Sequence, residues 1–284
     1  MSIVVTGATG HLGRHVVEQL LEKVPADQIT AVARTPEKAA DFAARGVRIA
    51  VADYNAPETF DGLFAAGDRV LLISGTEIDK GRVAQHQVVI DAAKAAGAAF
   101  LAYTSAPGSL TAALADDHRA TEEALIASGL PYALLRNSWY HENYTENLAP
   151  VLENNAVLAA AGEGRVASAS RADYAAAAVA VLTGEGHENK TYELGGDAAW
   201  SFAEYAAELS RLSGKEIAYN SVPAETLVGI LTGAGLPEMF ATIMAEVDQA
   251  IEKGELGLVT GDLSRLAGRP TTPFSEVIAA ALKG

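Results

Sequence analysis

Hydrophobic and polar positions along this chain follow two periods, and the switches between them mark its elements. Ile3, Val4 and Val5 form a β-branched run that breaks at Thr6-Gly7. Leu12, Val16, Val17, Leu20 and Leu21 then recur at helical spacing, so the opening reads as strand, glycine turn and helix. The same grammar repeats. Residues 28–34 (QITAVAR), 47–52 (VRIAVA), 69–74 (RVLLIS) and 100–104 (FLAYT) read as strands two to five, and the fourth is apolar throughout, as a buried parallel strand should be. Helical patterns separate them. One opens at Thr35-Pro36-Glu37-Lys38, a short one covers 56–66, and one covers 83–96 and stops at Gly97.

The second half is less regular. Residues 116–127 form a helix that carries His118 and Glu122 four apart and ends at Gly129; 132–136 (YALLR) is strand six. Residues 162–170 read as turn and strand, 171–182 as an alanine-rich helix, and 191–194 as a strand. Ser201 caps a helix over 201–213, with Glu204 completing a capping box. A strand over 215–220 follows. Residues 224–251 are mostly helical, broken near Gly233-Ala234-Gly235 and Pro237, and 274–282 is a last helix. Strands alternating with helices predict an α/β fold: a Rossmann-like, doubly wound parallel sheet with a small interleaved C-terminal α+β lobe. The expected division is 1–140 for the nucleotide-binding part, with some of 165–195 returning to it, and 141–284 for a small substrate-binding lobe.

Such a sheet binds ligands beyond the carboxyl ends of its strands, and the distinctive residues fall there. Gly7, Gly10 and Gly13 follow strand one with spacing G-x-x-G-x-x-G. The first permits a sharp turn, the second a close approach to a pyrophosphate, and the third close packing of helix on sheet. The helix N-terminus adds free N–H groups and partial positive charge. Strand two ends at Ala33-Arg34-Thr35, with no acid to hold a ribose 2′-hydroxyl. Arg34 instead suits a 2′-phosphate, which favours NADPH over NADH. Asp53, after strand three, is either an acceptor for an adenine amino group or a helix cap. Ser74-Gly75-Thr76 lies where a nicotinamide half would pass. Residues 137–144 (NSWYHENY) crowd amides and aromatic rings together, as a loop over a flat ligand or an aromatic hinge between lobes would.

Composition narrows the classes. The 284 residues carry 21 basic and 36 acidic side chains, a net charge of −15, which argues against nucleic acid and against an anionic membrane. With no cysteine there is no disulfide, thiol catalysis or thiolate metal site. No apolar run is long enough to span a bilayer and no signal peptide is evident, so a cytoplasmic protein is expected. No metal site is expected: His11 and His15 are the sole histidines four apart, and His11 belongs to the glycine turn. There is no G-x-S-x-G, and no tyrosine has a lysine four residues on. At the helix where that lysine would fall stands His118, as a ribose partner or a surface histidine. A missing proton donor favours an acceptor that takes hydride readily, such as a quinone or cationic dye.

Several stretches carry a family resemblance: VTGATGHLG, VPADQITAVARTPEKA, ADYNAPE, LLIS, AAKAAG, AYTS, LLRNSWYHENY, ASASRADYAAAAV, HENKTYEL and GRPTTP. With these the chain resembles, from end to end, the NmrA-like atypical short-chain dehydrogenase/reductases. Within that group it is similar to the bacterial type 2 NADPH:quinone oxidoreductases and the related triphenylmethane dye reductases. The RNxWYxENY form looks more like the quinone branch. The resemblance implies NADPH without flavin, and cofactor roles for Gly7, Gly10, His11, Leu12 and Arg34; Thr9 in the glycine turn and Asp53 after strand three complete the expected cofactor set. It implies that Ser74, Asn137 and Tyr140 flank the nicotinamide and that Arg171 lies near. Tyr140 and Asn143 are then the expected catalytic pair, and Trp139, Asn143 and Tyr144 the expected substrate contacts. A small-molecule quinone is the expected partner, for a monomer or homodimer. Dye or azo reduction is the alternative chemistry, and an NADP(H) sensor without turnover the alternative class.

Overall fold

The computed structural model describes residues 2–77 and 81–283. In chain order, β1 (Ile3–Val5), α1 (His11–Leu20), β2 (Ile29–Ala33), α2 (Ala40–Ala44), β3 (Arg48–Val51), β4 (Arg69–Leu72), α3 (Arg82–Ala95), β5 (Phe100–Ser105), α4 (Asp116–Ser128) and β6 (Tyr132–Asn137) build most of one sheet. Then come α5 (Glu142–Thr145), α6 (Ala149–Asn154), β7 (Ala156–Ala159) and β8 (Arg165–Val166). The chain returns with α7 (Arg171–Thr183) and β9 (Lys190–Leu194). It finishes with β10 (Trp200–Ser201), α8 (Phe202–Ser213), β11 (Ala218–Ser221), α9 (Ala224–Gly233), α10 (Glu238–Glu252), α11 (Asp262–Ala267) and α12 (Phe274–Ala281).

The main sheet has seven strands in the order β3-β2-β1-β4-β5-β6-β9, all parallel. Strand periodicity divides its side chains between two faces. Ile3 and Val5, Ala31 and Ala33, Phe100 and Ala102, and Ala133 and Leu135 meet α1 and α7. Val4, Val32, Leu101, Tyr103 and Leu134 meet α3 and α4 on the other. Alanines fill much of α7 and let it lie close along α1, where Gln19 donates to the Ala172 carbonyl at 2.9 Å. A separate core gathers Leu148, Val157, Val166, Trp200, Phe202, Tyr205, Val247, Ile251 and Ile278. Two small pairings edge it: β8 with β10, antiparallel, and β7 with β11, parallel. Ser201 and Glu204 form the expected capping box on α8.

Some elements differ from the sequence expectation. Residues 56–66 hold only a 3₁₀ turn at Pro57–Phe60, because Pro57 sets the first turn and Gly62, at φ +70°, stops the helix from continuing. The helix expected from Thr35-Pro36 opens as a 3₁₀ turn, Pro36–Ala39, before α2. Strand β7 and helix α11 carry too little periodicity in four and six residues to be visible beforehand. Among the described residues, no helix is long and apolar enough to cross a membrane.

Candidate functional site

A cavity of about 600 Å³ opens at the carboxyl end of the sheet, within the usual range for cofactor sites. Its floor is the turn between β1 and α1. Gly7 takes φ +62°, in the left-handed region that glycine enters freely. A Cβ on Gly13 would stand 2.2 Å from the Gly7 carbonyl oxygen and 2.8 Å from the Ala8 Cα, so only glycine lets the helix cross the turn this closely. Gly10 caps α1 without any side-chain hydrogen bond, leaving the first helical N–H groups for a ligand. Beneath the turn, the Tyr54 hydroxyl donates to Thr6 Oγ1 at 2.6 Å and Thr6 donates to the Leu71 carbonyl at 3.0 Å, which ties β1 to β4.

The strand order distributes the rest of the wall. On the β2–β3 side stand Arg34, Lys38, Asp53, Tyr54 and Asn55. Arg34 is exposed and its Nη1 lies 3.2 Å from Glu77 Oε1, so the acid missing from the end of β2 arrives from the segment after β4. Asp53 does not cap a helix. Its Oδ1 accepts from the Asn55 backbone N–H at 3.0 Å, closing a tight turn that keeps the carboxylate at the cavity edge. On the β4–β6 side stand Ser74, Gly75, Arg82, Gln85, Leu114, His118, Tyr140 and Arg171.

Arg171, the first residue of α7, is the most networked of these. Its guanidinium pairs with Glu146, lies 3.4 Å from Asn143 Oδ1, and sits 5.2 Å from the centre of the Tyr140 ring. Glu142 accepts from its backbone N–H at 2.9 Å. Glu146 also lies 3.7 Å from Nδ1 of the exposed His11, linking the glycine turn to α7 across the mouth. Burial raises the Tyr140 phenol above its ordinary value, with Asn137 and then the Arg171 charge opposing. The phenol therefore stays neutral.

The residues singled out in the sequence separate into two groups. Gly7, Thr9, Gly10, His11, Leu12, Arg34, Asp53, Ser74, Tyr140 and Arg171 share the one cavity wall. Asn137 lies just behind it at the end of β6, buried beside the Tyr140 phenol. Asn143 is exposed beside Arg171. Trp139 and Tyr144 pack into the separate core, where the Tyr144 ring meets Trp200 edge-on at 4.8 Å and its hydroxyl is buried without a hydrogen-bond partner among the described residues.

His118 is not a surface histidine. It is 9% exposed, because α4 lays this face against β5 and the cavity. Arg82, Gln85 and Glu77 join the wall without having been expected from the sequence. A signal existed for the first two: Arg82, Gln85 and His86 form a polar face at i, i+3 and i+4 that starts the helix after β4.

Comparisons with known proteins point to the same class of ligand. Residues 7–185 match a family model described as NAD(P)H-binding. Quinone oxidoreductase 2 of Escherichia coli (strain K12) is 44% identical over 278 residues, 97% of each chain. The crystal structure of the E. coli NADPH-dependent quinone oxidoreductase complexed with NADPH superposes with a TM-score of 0.95, covering 98% of this chain and 99% of that one. Citrobacter sp. triphenylmethane reductase superposes with a TM-score of 0.94 at 42% identity, covering the whole of both chains.

Proposed function

Because this chain belongs to the NAD(P)H-binding family, we propose that its cleft holds NADPH and that the protein reduces quinones by direct hydride transfer, without flavin. The observation that carries this reading is one continuous wall with the glycine turn in the middle, Arg34 and Lys38 to one side, and Ser74, Tyr140 and Arg171 to the other. When bound, the nicotinamide supplies hydride from C4. Everything else falls to the chain. The turn and the N-terminus of α1 hold the pyrophosphate through N–H groups and the helix dipole, with Gly7, Thr9, Gly10, His11 and Leu12 around it. Arg34 holds the 2′-phosphate and Asp53 the adenine edge. Ser74, Asn137 and Tyr140 flank the nicotinamide, and Arg171 fixes Tyr140.

The acceptor stacks where the loop 137–144 meets the cavity, with Tyr140 and Asn143 setting its oxygens and Trp139 and Tyr144 backing the loop. Alignment of hydride donor and acceptor is the main contribution of such a site. The similarity to quinone oxidoreductase 2 favours a quinone, and this reading includes a cytoplasmic monomer or homodimer. The similarity to triphenylmethane reductase makes a cationic dye the second candidate acceptor.

The deciding experiment is NADPH oxidation, followed by absorbance, with a small benzoquinone or naphthoquinone against a triphenylmethane dye and no added flavin. Rapid quinone-dependent oxidation is expected. Oxidation with the dye alone moves the protein to the dye branch, and tight NADPH binding without turnover makes it a sensor. Tyr140→Phe and Asn143→Ala are each expected to lower quinone turnover about tenfold or more, the size of one lost positioning contact. Full turnover in both variants removes these side chains from the mechanism.

A further inference from the structure

Behind the β4–β6 side of the cavity runs a buried hydrogen-bond chain that the hydride reaction above does not use. It begins at a group whose direction is fixed. The Gly75 backbone N–H donates to His86 Nε2 at 2.9 Å, so the neutral His86 ring carries its proton on Nδ1. That Nδ1 lies 2.9 Å from Thr121 Oγ1, while the Thr121 hydroxyl donates its own proton to the Asp117 carbonyl at 2.8 Å. His86 therefore donates to Thr121. Tyr103 comes next. Its hydroxyl lies 3.5 Å from His86 Nδ1, which has no lone pair to offer, and 2.9 Å from His118 Nδ1. The phenol's short contact is therefore the one with His118.

Tyr103 is fully buried, so the Nδ1 edge of His118 faces the core, and its ring closes the cavity wall beside Leu114 and Arg82. Nε2 makes no hydrogen bond among the described residues. His118 follows β5, on the opposite side of β1 from Arg34, which is the half of the cleft assigned above to nicotinamide and acceptor. We propose that the Tyr103 phenol donates to His118 Nδ1, so that His118 holds its proton on Nε2 and presents a fixed Nε2–H donor to the carbonyl oxygen of the electron acceptor, the oxygen that gains negative charge as hydride arrives. This rests on the reductase reading above. A donor held in place before the charge develops stabilises the transition state more than the ground state.

The surroundings keep the donor neutral. Arg82 and His86 approach from α3, Asp117 and Glu122 lie on α4, and Tyr103 stands on β5. Burial, then Arg82 and His86, push the His118 imidazolium down to about 3. The donor is therefore the same species throughout the working range.

Nitrogen-15 NMR of histidine-labelled protein reads the tautomer directly, and the Nε2–H form is expected for His118 in the free and NADPH-bound protein. His118→Phe is expected to lower kcat with benzoquinone at least tenfold while NADPH affinity stays within twofold, and His118→Gln, which keeps an N–H donor, to recover part of that loss. Wild-type kcat is expected to be flat from pH 5.5 to 8. The Nδ1–H tautomer overturns the proposal. So does a loss confined to NADPH affinity, which assigns His118 to the nucleotide, or an inflection near pH 6.5 that disappears in His118→Phe, which makes it an imidazolium acid. Quinone turnover unaffected by His118→Phe overturns this inference alone; no quinone turnover by the wild-type protein overturns it together with the reductase reading.

Discussion

Arg34 shows how one side chain is legible while its setting is not. Its place after β2, with no acid beside it in sequence, was enough to assign it a phosphate. Glu77, which pairs with it at 3.2 Å, is 43 residues away and enters only through the fold. In the role proposed for Arg34, a 2′-phosphate competes with that carboxylate for the guanidinium through its extra charge and its acceptor oxygens. Charge-assisted hydrogen bonds of this kind contribute about 1.5–3 kcal/mol. Arg34→Ala is therefore expected to weaken NADPH binding tenfold or more and to leave NADH within about twofold, as read by fluorescence titration. Equal losses for the two nucleotides would remove the 2′-phosphate from its role. The Tyr103–His118 pairing was illegible for the same reason as Glu77. A buried polar side chain is defined by its partners, and those partners come from separate elements.

At the scale of elements, the β1–α1 turn was the most legible part of the chain because its rules are local. Three glycines at fixed spacing fall within seven residues. Their steric surroundings differ, and this separates two otherwise similar substitutions. Gly13→Ala puts a methyl group 2.2 Å from the Gly7 carbonyl, and neither backbone can yield without opening the turn. Overpacking of this kind costs about 1–3 kcal/mol. Gly10 has extended backbone at φ −75°, and a Cβ there would meet only the Gly7 oxygen, at 3.3 Å. Gly13→Ala is thus expected to lower both Tm and NADPH affinity, and Gly10→Ala to lower affinity with little change in Tm. Thermal denaturation with a parallel NADPH titration checks both; matching Tm losses would mean that Gly10 is structural too. The later elements were harder to read. Strand β7 and helices α5 and α6 are four to six residues long, below the length at which periodicity separates helix from strand.

Across the whole molecule, three neutral histidines lie under the surface: His86 and His118 are pushed down to about 3 and His141 to about 4, each mainly by burial. In the unfolded chain they titrate near 6.5. Between those values the unfolded state binds more protons than the folded one, so stability falls as pH drops through that window. Asp248 works in the opposite direction, because burial raises its carboxyl to about 6 and the folded state takes up its proton early. Three groups against one leave a net loss, at up to about 1.4 kcal/mol per pH unit for each histidine. The urea midpoint is expected to fall steadily from pH 7 to pH 4.5. A midpoint unchanged over that range would mean that these histidines take up protons without unfolding.

The position of β9 bears on how this molecule can be reshuffled between relatives. The main sheet is complete only when residues 190–194 pair with β6, after the chain has already contributed residues 148–166 to the other core. Leu263 then returns to the first core from near the chain end. No single breakpoint in the coding sequence separates the nucleotide-binding sheet from the second core. A one-point chimera of two such reductases inherits a hybrid sheet or a hybrid second core, with mismatched packing in either. New acceptor preference in this architecture is therefore reached by replacing residues along the cleft, and an exchanged cassette would need several matched junctions at once.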